Sequence, residues 1–155
     1  MMLIIFEAGG QTYGLDARTV CEVAPYPRCA PLPHAPAYVA GLATWRGRPL
    51  PVLDLSALIA GTAARPLLST RLLVVEYSTP LGRAHPLGLV AEKAVETIVV
   101  EDQVGEPQQV AIADAPYLNG TVEHAGRLVL RLSLEELLPA PVRAELFPES
   151  DVGTL

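Results

Sequence analysis

Short stretches in which apolar and polar residues alternate, separated by glycine and proline, run along most of the chain. Alternation with a period of two residues is typical of β-strands that bury one face. The pattern predicts strands at Leu3–Glu7, Tyr13–Asp16, Leu50–Leu55, Arg71–Tyr77, Pro86–Val90, Val95–Val100 and Leu128–Leu132. Fifteen prolines and twelve glycines leave no long uninterrupted stretch for a helix before the C-terminal end. The sequence therefore predicts an all-β fold.

Two regions depart from this alternation and are predicted to be helical. One is Ala17–Glu22, and the other is Leu134–Leu138, which prolines interrupt before Val142–Phe147. Because all of these segments are short, we expect them to cap the β-structure rather than to form a helical layer.

The chain also contains an internal repeat, the signature of a fold built from similar units. Residues 38–59 align with residues 117–138 without a gap and share seven identities in twenty-two positions. The shared residues are Tyr38, Gly41, Gly47, Arg48, Leu53, Leu55 and Leu58, which meet Tyr117, Gly120, Gly126, Arg127, Leu132, Leu134 and Leu137. Upstream, Gly14 and Glu22 fall against Gly88 and Glu96 at a slightly different offset.

Each copy thus carries about five short strands, and a unit of that size closes most simply into a small barrel, since closure removes exposed strand edges. The sequence predicts two SH3-like five-stranded barrels related by duplication, within one domain at 1–143. The first barrel is expected at about 8–66 and the second at about 67–138, with a terminal strand exchanged between them. Residues 144–155 form a tail.

Composition narrows the range of functions. Half of the 155 residues are hydrophobic and 18% are charged, as in a folded globular domain. A net charge of -6 and a single lysine, Lys93, exclude a nucleic-acid binder. The apolar start Met1–Phe6 is too short for a secretion signal or a membrane span, so we expect a cytoplasmic protein without membrane insertion.

The chain carries few groups suited to chemistry. Cys21 and Cys29 are predicted to be buried structural thiols, and His34, His85 and His124 to be solvent-exposed loop residues. We find no motif for a serine nucleophile, a phosphate loop, a zinc helix or a dinucleotide site. The sequence therefore predicts no enzyme, no metal and no cofactor. The alternative is a ligand-binding or enzymatic β-barrel protein with a site between the barrels, which would need converging polar groups.

Several ordered motifs together resemble the CheW family of chemotaxis coupling proteins. The resemblance covers about residues 3–138 and rests on the following elements: Tyr13-Gly14-Leu15-Asp16, Val20-x-Glu22-Val23, Leu32-Pro33, Tyr38-Val39-x-Gly41, Arg46-Gly47-x-Pro49-Leu50-Pro51-Val52-Leu53-Asp54-Leu55, Leu72–Val75, Leu87–Val90, Tyr117-Leu118-x-Gly120 and Leu128–Leu138. No single element is diagnostic, but the set occurs in the family's order and spacing.

The resemblance implies a non-enzymatic adaptor that couples a methyl-accepting chemoreceptor to a CheA-type histidine kinase. The partners would be the helical hairpin at the receptor's cytoplasmic tip and the regulatory domain of the kinase, with recruitment to membrane receptor arrays. The kinase-contacting residues stay unassigned. Trp45, Ala91-Glu92 and Ser133 depart from the family's usual residues, and the loop after Glu101 and the tail beyond Leu138 are atypical. These departures suggest a branch serving surface sensing.

The duplication supplies an internal control for Arg46, whose counterpart is Ala125 between the retained glycines. The fold therefore does not need an arginine there, and the family's receptor-contacting arginine falls on this residue. A guanidinium can pair bidentately with a carboxylate of a partner helix. The alternative is an internal pair with Glu22 or Asp54.

The other residues of the expected receptor site are less decisive. Trp45 opposes His124 and is either an interface anchor or a core residue that caps the first barrel. The resemblance also places Val20, Glu22, Gly41 and Gly47 at the receptor face, although Glu96 opposite Glu22 favours a structural acid. Arg71 and Thr97 stand where the family has apolar groove residues, so we expect a more polar groove.

Overall fold

The structure is a computed structural model that describes residues 1–101 and 114–149. The segment after Glu101 that the sequence marks as atypical, and the last six residues of the tail, lie outside the described residues. The described residues form nine strands and two short α-helices. These are β1 (Met2–Ala8), β2 (Gln11–Asp16), β3 (Val20–Pro25), β4 (Val39–Trp45), β5 (Arg48–Asp54), α1 (Leu55–Ala60), β6 (Arg71–Ser78), β7 (Ala84–Val99), β8 (Leu118–His124), β9 (Arg127–Leu132) and α2 (Ala140–Leu146).

The long strand β7 divides the strands into two groups. Its first part, 84–91, pairs with β6 and, in parallel, with β5, which gives a first group in the order β3-β6-β7-β5-β4. Its second part, 92–99, pairs with β1, which gives a second group in the order β7-β1-β2-β9-β8. Each group therefore holds five strands and combines two strands from one copy of the duplication with three from the other.

Equivalent positions of the two copies make equivalent contacts. The register of β4–β5 shifts at Gly41, and that of β8–β9 shifts next to its counterpart Gly120. The Asp54 N–H donates to the Tyr38 carbonyl at 2.7 Å, as the Ser133 N–H donates to Tyr117 at 2.6 Å. These matching contacts are the ones expected from the alignment of residues 38–59 with residues 117–138.

The two groups share one core. Its largest cluster of buried side chains includes Phe6 of β1, Tyr77 of β6, Leu89 of β7 and Leu132 of β9. Burying apolar surface across both groups makes them one cooperative unit rather than two independent domains. Phe147, after α2, is buried and stacks on Tyr77 with ring centroids 5.5 Å apart.

The helical prediction at Ala17–Glu22 is wrong beyond its first turn. The Asp16 carboxylate caps a single 3-10 turn at Ala17–Thr19 by accepting from the Arg18 N–H at 3.0 Å. From Val20 onward, alternate residues turn inward and β3 pairs with β6. Exposed and partly buried residues alternate from Val20 to Pro25, and this alternation is typical of a strand rather than a helix.

The C-terminal helices are also placed differently. Leu134–Leu138 forms turns rather than a helix, and the last helix begins at Ala140 and ends at Leu146, one residue before the predicted end. Pro141 lies in its first turn, where a missing N–H costs nothing. Conversely, Leu55–Ala60 is a helix that the strand pattern missed, although Asp54 is a good N-cap.

The strand pattern did not predict β4 and β8. It also divided one long strand into two. Pro86–Val90 and Val95–Val100 belong to the sixteen-residue β7. The polar pair Glu92 and Lys93 interrupts the apolar pattern where β7 passes from one group to the other. There Lys93 adopts a left-handed φ of 52° and its ammonium pairs with Glu7 at 3.0 Å.

Candidate functional site

The hairpin between β4 and β5 turns at Arg46 and Gly47. Both residues have a positive φ, 49° and 74°, which is the conformation of the two-residue turn that matches the twist of antiparallel strands. Trp45 and Arg48 pair directly across the turn. The turn thus fixes where the Trp45 and Arg46 side chains emerge.

Glu22 of β3 lies beside this turn and completes a small cluster that we call the tryptophan corner: Glu22, Trp45 and Arg46. The Trp45 Nε1–H donates to Glu22 Oε2 at 2.7 Å. The Arg46 guanidinium lies 4.4 Å from the centre of the Trp45 ring, within range of a cation–π contact. Arg46 Nη2 is 3.8 Å from Glu22 Oε1.

These contacts bear on both alternatives for Arg46. The arginine faces Glu22 inside the chain, but the pair is long and the Arg46 side chain is 65% exposed, so the guanidinium stays available to a partner. Asp54 is not its partner. That carboxylate is buried and accepts from the N–H groups of Ala57 at 3.1 Å and Ala64 at 2.9 Å.

Trp45 also combines both of its predicted roles. Its side chain is half-buried and packs against the cluster of Ala43, Leu50 and Val52 in the first group. Its indole N–H is occupied by Glu22, so the ring is held in one orientation beside the exposed arginine. A rigid, partly exposed aromatic ring is the kind of residue that anchors protein interfaces.

The second copy carries a corresponding cluster, the histidine corner: Glu96, His124 and Arg127, in which the arginine stands at the position of Arg48 rather than of Arg46. Ala125 and Gly126 repeat the turn with φ values of 50° and 76°. Arg127 Nη2 lies 3.2 Å from each oxygen of Glu96. The acid therefore binds an arginine in both corners, but only the first corner presents a tryptophan and an exposed turn arginine.

An open groove of about 360 Å³ lies between β3 and the second part of β7, where the two strand groups meet. Val23 and Pro25 line one side, Val95 and Thr97 line the other, and Arg71 stands at the start of β6. Val23 and Val95 are 51% and 65% exposed. The structure thus brings Arg71 and Thr97 together in one groove, which is bordered by β3, the strand that also carries Glu22 of the tryptophan corner.

The remaining predicted site residues are placed as follows. Val20 is half-buried against the main core. Gly41 is buried at the register shift with φ 131°, and a Cβ there would overlap the Ala30 carbonyl oxygen. Gly47 is exposed at the hairpin turn. Gly41 and Gly47 therefore shape the backbone around the corner rather than offering side chains.

Sequence reasoning missed Val23, Pro25 and Val95, which supply the apolar surface of the groove. Each alternates with a more buried neighbour. The period of two marks Val95 as outward-facing in its predicted strand, and it would have marked Val23 and Pro25 in the same way had β3 been recognised as a strand. Their proximity depends on pairing between distant strands, which a local pattern does not contain.

Two predictions are wrong: that both cysteines are buried, and that all three histidines are exposed loop residues. Cys21 is exposed and Cys29 half-buried, and they are free thiols rather than buried ones; partial burial raises the pKa of the Cys29 thiol. His85 and His124 lie on strands and are half-buried, whereas His34 is exposed. His85 Nε2 lies 2.7 Å from Glu149 Oε1 and its ring stacks on Phe147.

A second, more polar pocket of about 270 Å³ bears on the alternative of a ligand site between the groups. It is lined by Asp16, Glu76, Arg131 and neighbouring residues. The hydrogen bond from the Arg18 side chain lowers the pKa of the Asp16 carboxyl although partial burial opposes this. The buried side-chain polar atoms without a partner among the described residues are Ser56 Oγ and Tyr77 Oη, and neither lines this pocket.

The described residues contain no cluster of three or more His, Cys, Asp or Glu side chains that could hold a metal ion. Within the same residues, no helix is long and apolar enough to cross a membrane.

Comparisons with known proteins find relatives that match most of the chain. A family model described as CheW-like domain matches residues 2–142. The chain is 27% identical over 143 residues to the chemotaxis protein CheW of Rhizobium meliloti (strain 1021), covering 91% of this chain and 89% of the relative. It is 28% identical over 145 residues to that of Treponema pallidum (strain Nichols), covering 87% and 80%.

A similar solved structure is the crystal structure of the scaffolding protein TtCheW from Thermoanaerobacter tengcongensis. The TM-score is 0.75 at 24% sequence identity, and the match covers 91% of this chain and 89% of that one. The likeness at this level of identity shows a common fold.

Proposed function

We propose that this chain, which belongs to the family of CheW-like domains, is a non-enzymatic scaffold that couples a methyl-accepting chemoreceptor to a CheA-type histidine kinase. The observation that carries the proposal is the family match across residues 2–142. The open groove beside the tryptophan corner supports it, since it offers a partner an exposed surface on ordered strands. Such a scaffold acts by positioning its partners, and an array multiplies weak contacts through effective concentration.

We further propose that each group of five strands closes into an SH3-like barrel. Support comes from the reciprocal exchange, in which the first two strands of each copy join the last three of the other. The domain would span 1–143, with a first barrel centred on about 8–66, a second centred on about 67–138, strands exchanged between them, and a tail at 144–155.

In this proposal the receptor's helical hairpin lies along the groove and reaches the tryptophan corner. Arg46 and Trp45 would be its anchors, and Arg71 and Thr97 would meet it inside the groove. Val20, Glu22, Gly41 and Gly47 would hold the corner in shape. The regulatory domain of the kinase would bind a separate face, barrel to barrel.

The direct test is a pull-down with a soluble receptor fragment containing the cytoplasmic hairpin, and separately with the kinase regulatory domain. Arg46→Glu should abolish capture by the receptor and leave capture by the kinase intact, because only the receptor needs the corner. Arg48→Glu is the matched control, since Arg48 is an exposed arginine two residues away in the same hairpin.

The outcomes separate the parts of the proposal. If folded Arg46→Glu captures the receptor as well as the wild type does, the role of the corner is wrong. If the wild type captures neither the receptor nor the kinase, the scaffold function itself fails.

We also propose that the protein belongs to a branch serving surface sensing. The support is the set of departures at Trp45, Ala91-Glu92 and Ser133, of which Trp45 presents a half-buried ring in the tryptophan corner. Deletion of the gene should alter surface attachment and leave swimming chemotaxis in soft agar unchanged. A loss of soft-agar chemotaxis would assign the protein to flagellar control instead.

A further inference from the structure

The two walls of the groove come from equivalent positions in the two copies. On β3 and β6, Pro25 pairs with Arg71 and Val23 with Leu73. On β7 and β1, Val99 pairs with Met2 and Thr97 with Ile4. Because Glu22 and Glu96 are equivalent, Arg71 takes the place of Met2, and Thr97 that of Val23.

This equivalence shows that the fold does not require an arginine at residue 71. Met2, its counterpart, is an exposed apolar residue at the matching end of β1. The Arg71 guanidinium makes no ion pair or side-chain hydrogen bond with any other residue in 1–101 or 114–149. The arginine is therefore not explained by the folding of the described chain.

The carboxylate that lines the groove already pairs with another arginine. Glu96 is the carboxylate that lines the same groove, but both of its oxygens lie 3.2 Å from Arg127 Nη2. The groove therefore presents a cation beside two exposed valines, Val23 and Val95, without an anion of its own to neutralise it.

Any segment that fills this groove must cover Arg71 and remove water from it. Covering an unpaired guanidinium is costly, whereas a carboxylate on the incoming segment would turn the same burial into a bidentate, charge-assisted contact. Apolar residues flanking that carboxylate would cover Val23 and Val95. The groove thus fits an amphipathic helix with an acidic residue within its apolar face.

We propose that the receptor helix bound in this groove carries a carboxylate that pairs with Arg71, and that this pair selects the receptor. The inference rests on the proposed function, because it names the chemistry of the receptor segment at the same site. Arg71 is then a specificity residue, and Glu96–Arg127 keeps it available by holding the groove's own carboxylate aside.

The test is calorimetric titration of the full chain with a soluble receptor cytoplasmic fragment, at low and at high salt. Arg71→Glu should weaken binding by about tenfold or more, since it places like charges opposite each other. Arg71→Met, which installs the residue of the other copy, should weaken binding less and flatten its salt dependence. The control is Arg83→Glu, roughly 20 Å away beyond the other end of β6, which should bind like the wild type.

A charge exchange then identifies the partner residue. Each acidic residue of the receptor hairpin is changed to arginine in turn, and one such change should restore binding to Arg71→Glu. Unfolding by urea checks that every variant is as stable as the wild type.

Two results would overturn the inference alone: Arg71→Glu binding the receptor as Arg83→Glu does, or no acidic residue of the hairpin restoring it. If the wild type self-associates through the groove and Arg71→Glu removes only that association, the occupant is a second copy and the inference is wrong. If the wild type binds no receptor fragment, the proposed function fails together with it.

Discussion

The tryptophan corner and the histidine corner are two versions of the same hairpin end. Both have a left-handed residue followed by glycine at the turn. In both, an arginine pairs with a glutamate of another strand, Glu22 of β3 in the first corner and Glu96 of β7 in the second. They differ in what they expose. The first adds a half-buried indole and a guanidinium that is 65% exposed, whereas the second has Ala125 at the turn.

This difference separates the demands of folding from those of binding. The turn conformation recurs with arginine and with alanine, so the backbone does not select the side chain at that position. A non-glycine residue in the left-handed region costs roughly 1 kcal/mol in either corner. The strain of the turn is therefore common to Arg46 and Ala125, and the exposed guanidinium is what distinguishes the first corner.

The largest expected effect is a loss of stability at Gly41, the glycine where the register of β4–β5 shifts. Gly41→Ala should lower the free energy of unfolding by roughly 3 kcal/mol, because the new Cβ overlaps the Ala30 carbonyl and φ is 131°. Gly47→Ala, with φ 74° and open space around its Cβ position, should cost only about 1 kcal/mol. Urea unfolding of both variants measures the contrast, and equal losses would refute it.

The next effect concerns how each copy ends. Asp54 accepts the Ala57 N–H at the start of α1 and the Ala64 N–H beyond the end of α1, whereas its counterpart Ser133 precedes turns. Asp54→Ala should therefore cost about 2 kcal/mol, from a lost N-cap and a buried N–H left without a partner. Ser133→Ala should cost less than about 0.5 kcal/mol. A loss at Ser133 as large as that at Asp54 would contradict the assigned difference.

The two corner glutamates should also differ. Glu22→Ala removes the acceptor of the half-buried Trp45 indole and should cost about 1 kcal/mol. Glu96→Ala removes an exposed ion pair and should cost about 0.5 kcal/mol or less. Trp45 fluorescence should change in Glu22→Ala and stay constant in Glu96→Ala. An unchanged emission spectrum in Glu22→Ala would mean that the indole contact does not persist in solution.

The stability of the protein should depend on pH through Glu92, the carboxylate at the point where β7 passes from one strand group to the other. Burial raises the pKa of the Glu92 carboxyl, but hydrogen bonds from the backbone and side chain of Arg65 outweigh it and leave that pKa below its usual value. The resulting stability is present above the unfolded pKa, about 4.3, and is lost as pH falls through the lower folded pKa.

Glu92→Gln should therefore flatten the loss of stability on acidification, as seen in urea midpoints taken between about pH 3 and pH 7. Glu123→Gln, at an exposed carboxylate on β8, is the control. If both variants keep the same acid dependence as the wild type, the Arg65 contact does not contribute to it.

The smallest effect tests the turns themselves. Ala125→Gly should raise the free energy of unfolding by about 0.5 kcal/mol, because it relieves the left-handed alanine at little cost. Arg46→Gly gains the same relief but loses the cation–π contact, worth about 0.5–1 kcal/mol, and should be near neutral. Arg46→Gly stabilising as much as Ala125→Gly would show that the arginine's contacts contribute nothing to folding.

Much of the architecture was accessible from the sequence because it depends on local patterns. Alternation located β1, β2, β5, β6 and β9, and the self-alignment marked the positions where Gly41 and Gly120 shift the register. Prediction failed in the segment that follows β2. A helix was predicted at Ala17–Glu22, yet the chain makes one 3-10 turn and then pairs as β3.

The candidate site was predictable in its residues but not in its shape. The mismatch of Trp45-Arg46 with His124-Ala125 identified the corner from the chain alone. That Glu22 binds Trp45 depends on β3 lying beside the β4–β5 hairpin, and no local signal carries that information. For the same reason Arg71 and Thr97, twenty-six positions apart in the sequence, were expected in a groove only through the family resemblance.

By itself, the sequence determined the β-class of the fold, the duplication and the residues at which the copies differ, because period, glycine placement and internal identity are properties of the chain. The tertiary structure alone decided which strands exchange between the groups, where the groove lies and which carboxylate each arginine meets. These depend on pairing between strands far apart in sequence, and that pairing is settled by burial of the shared core.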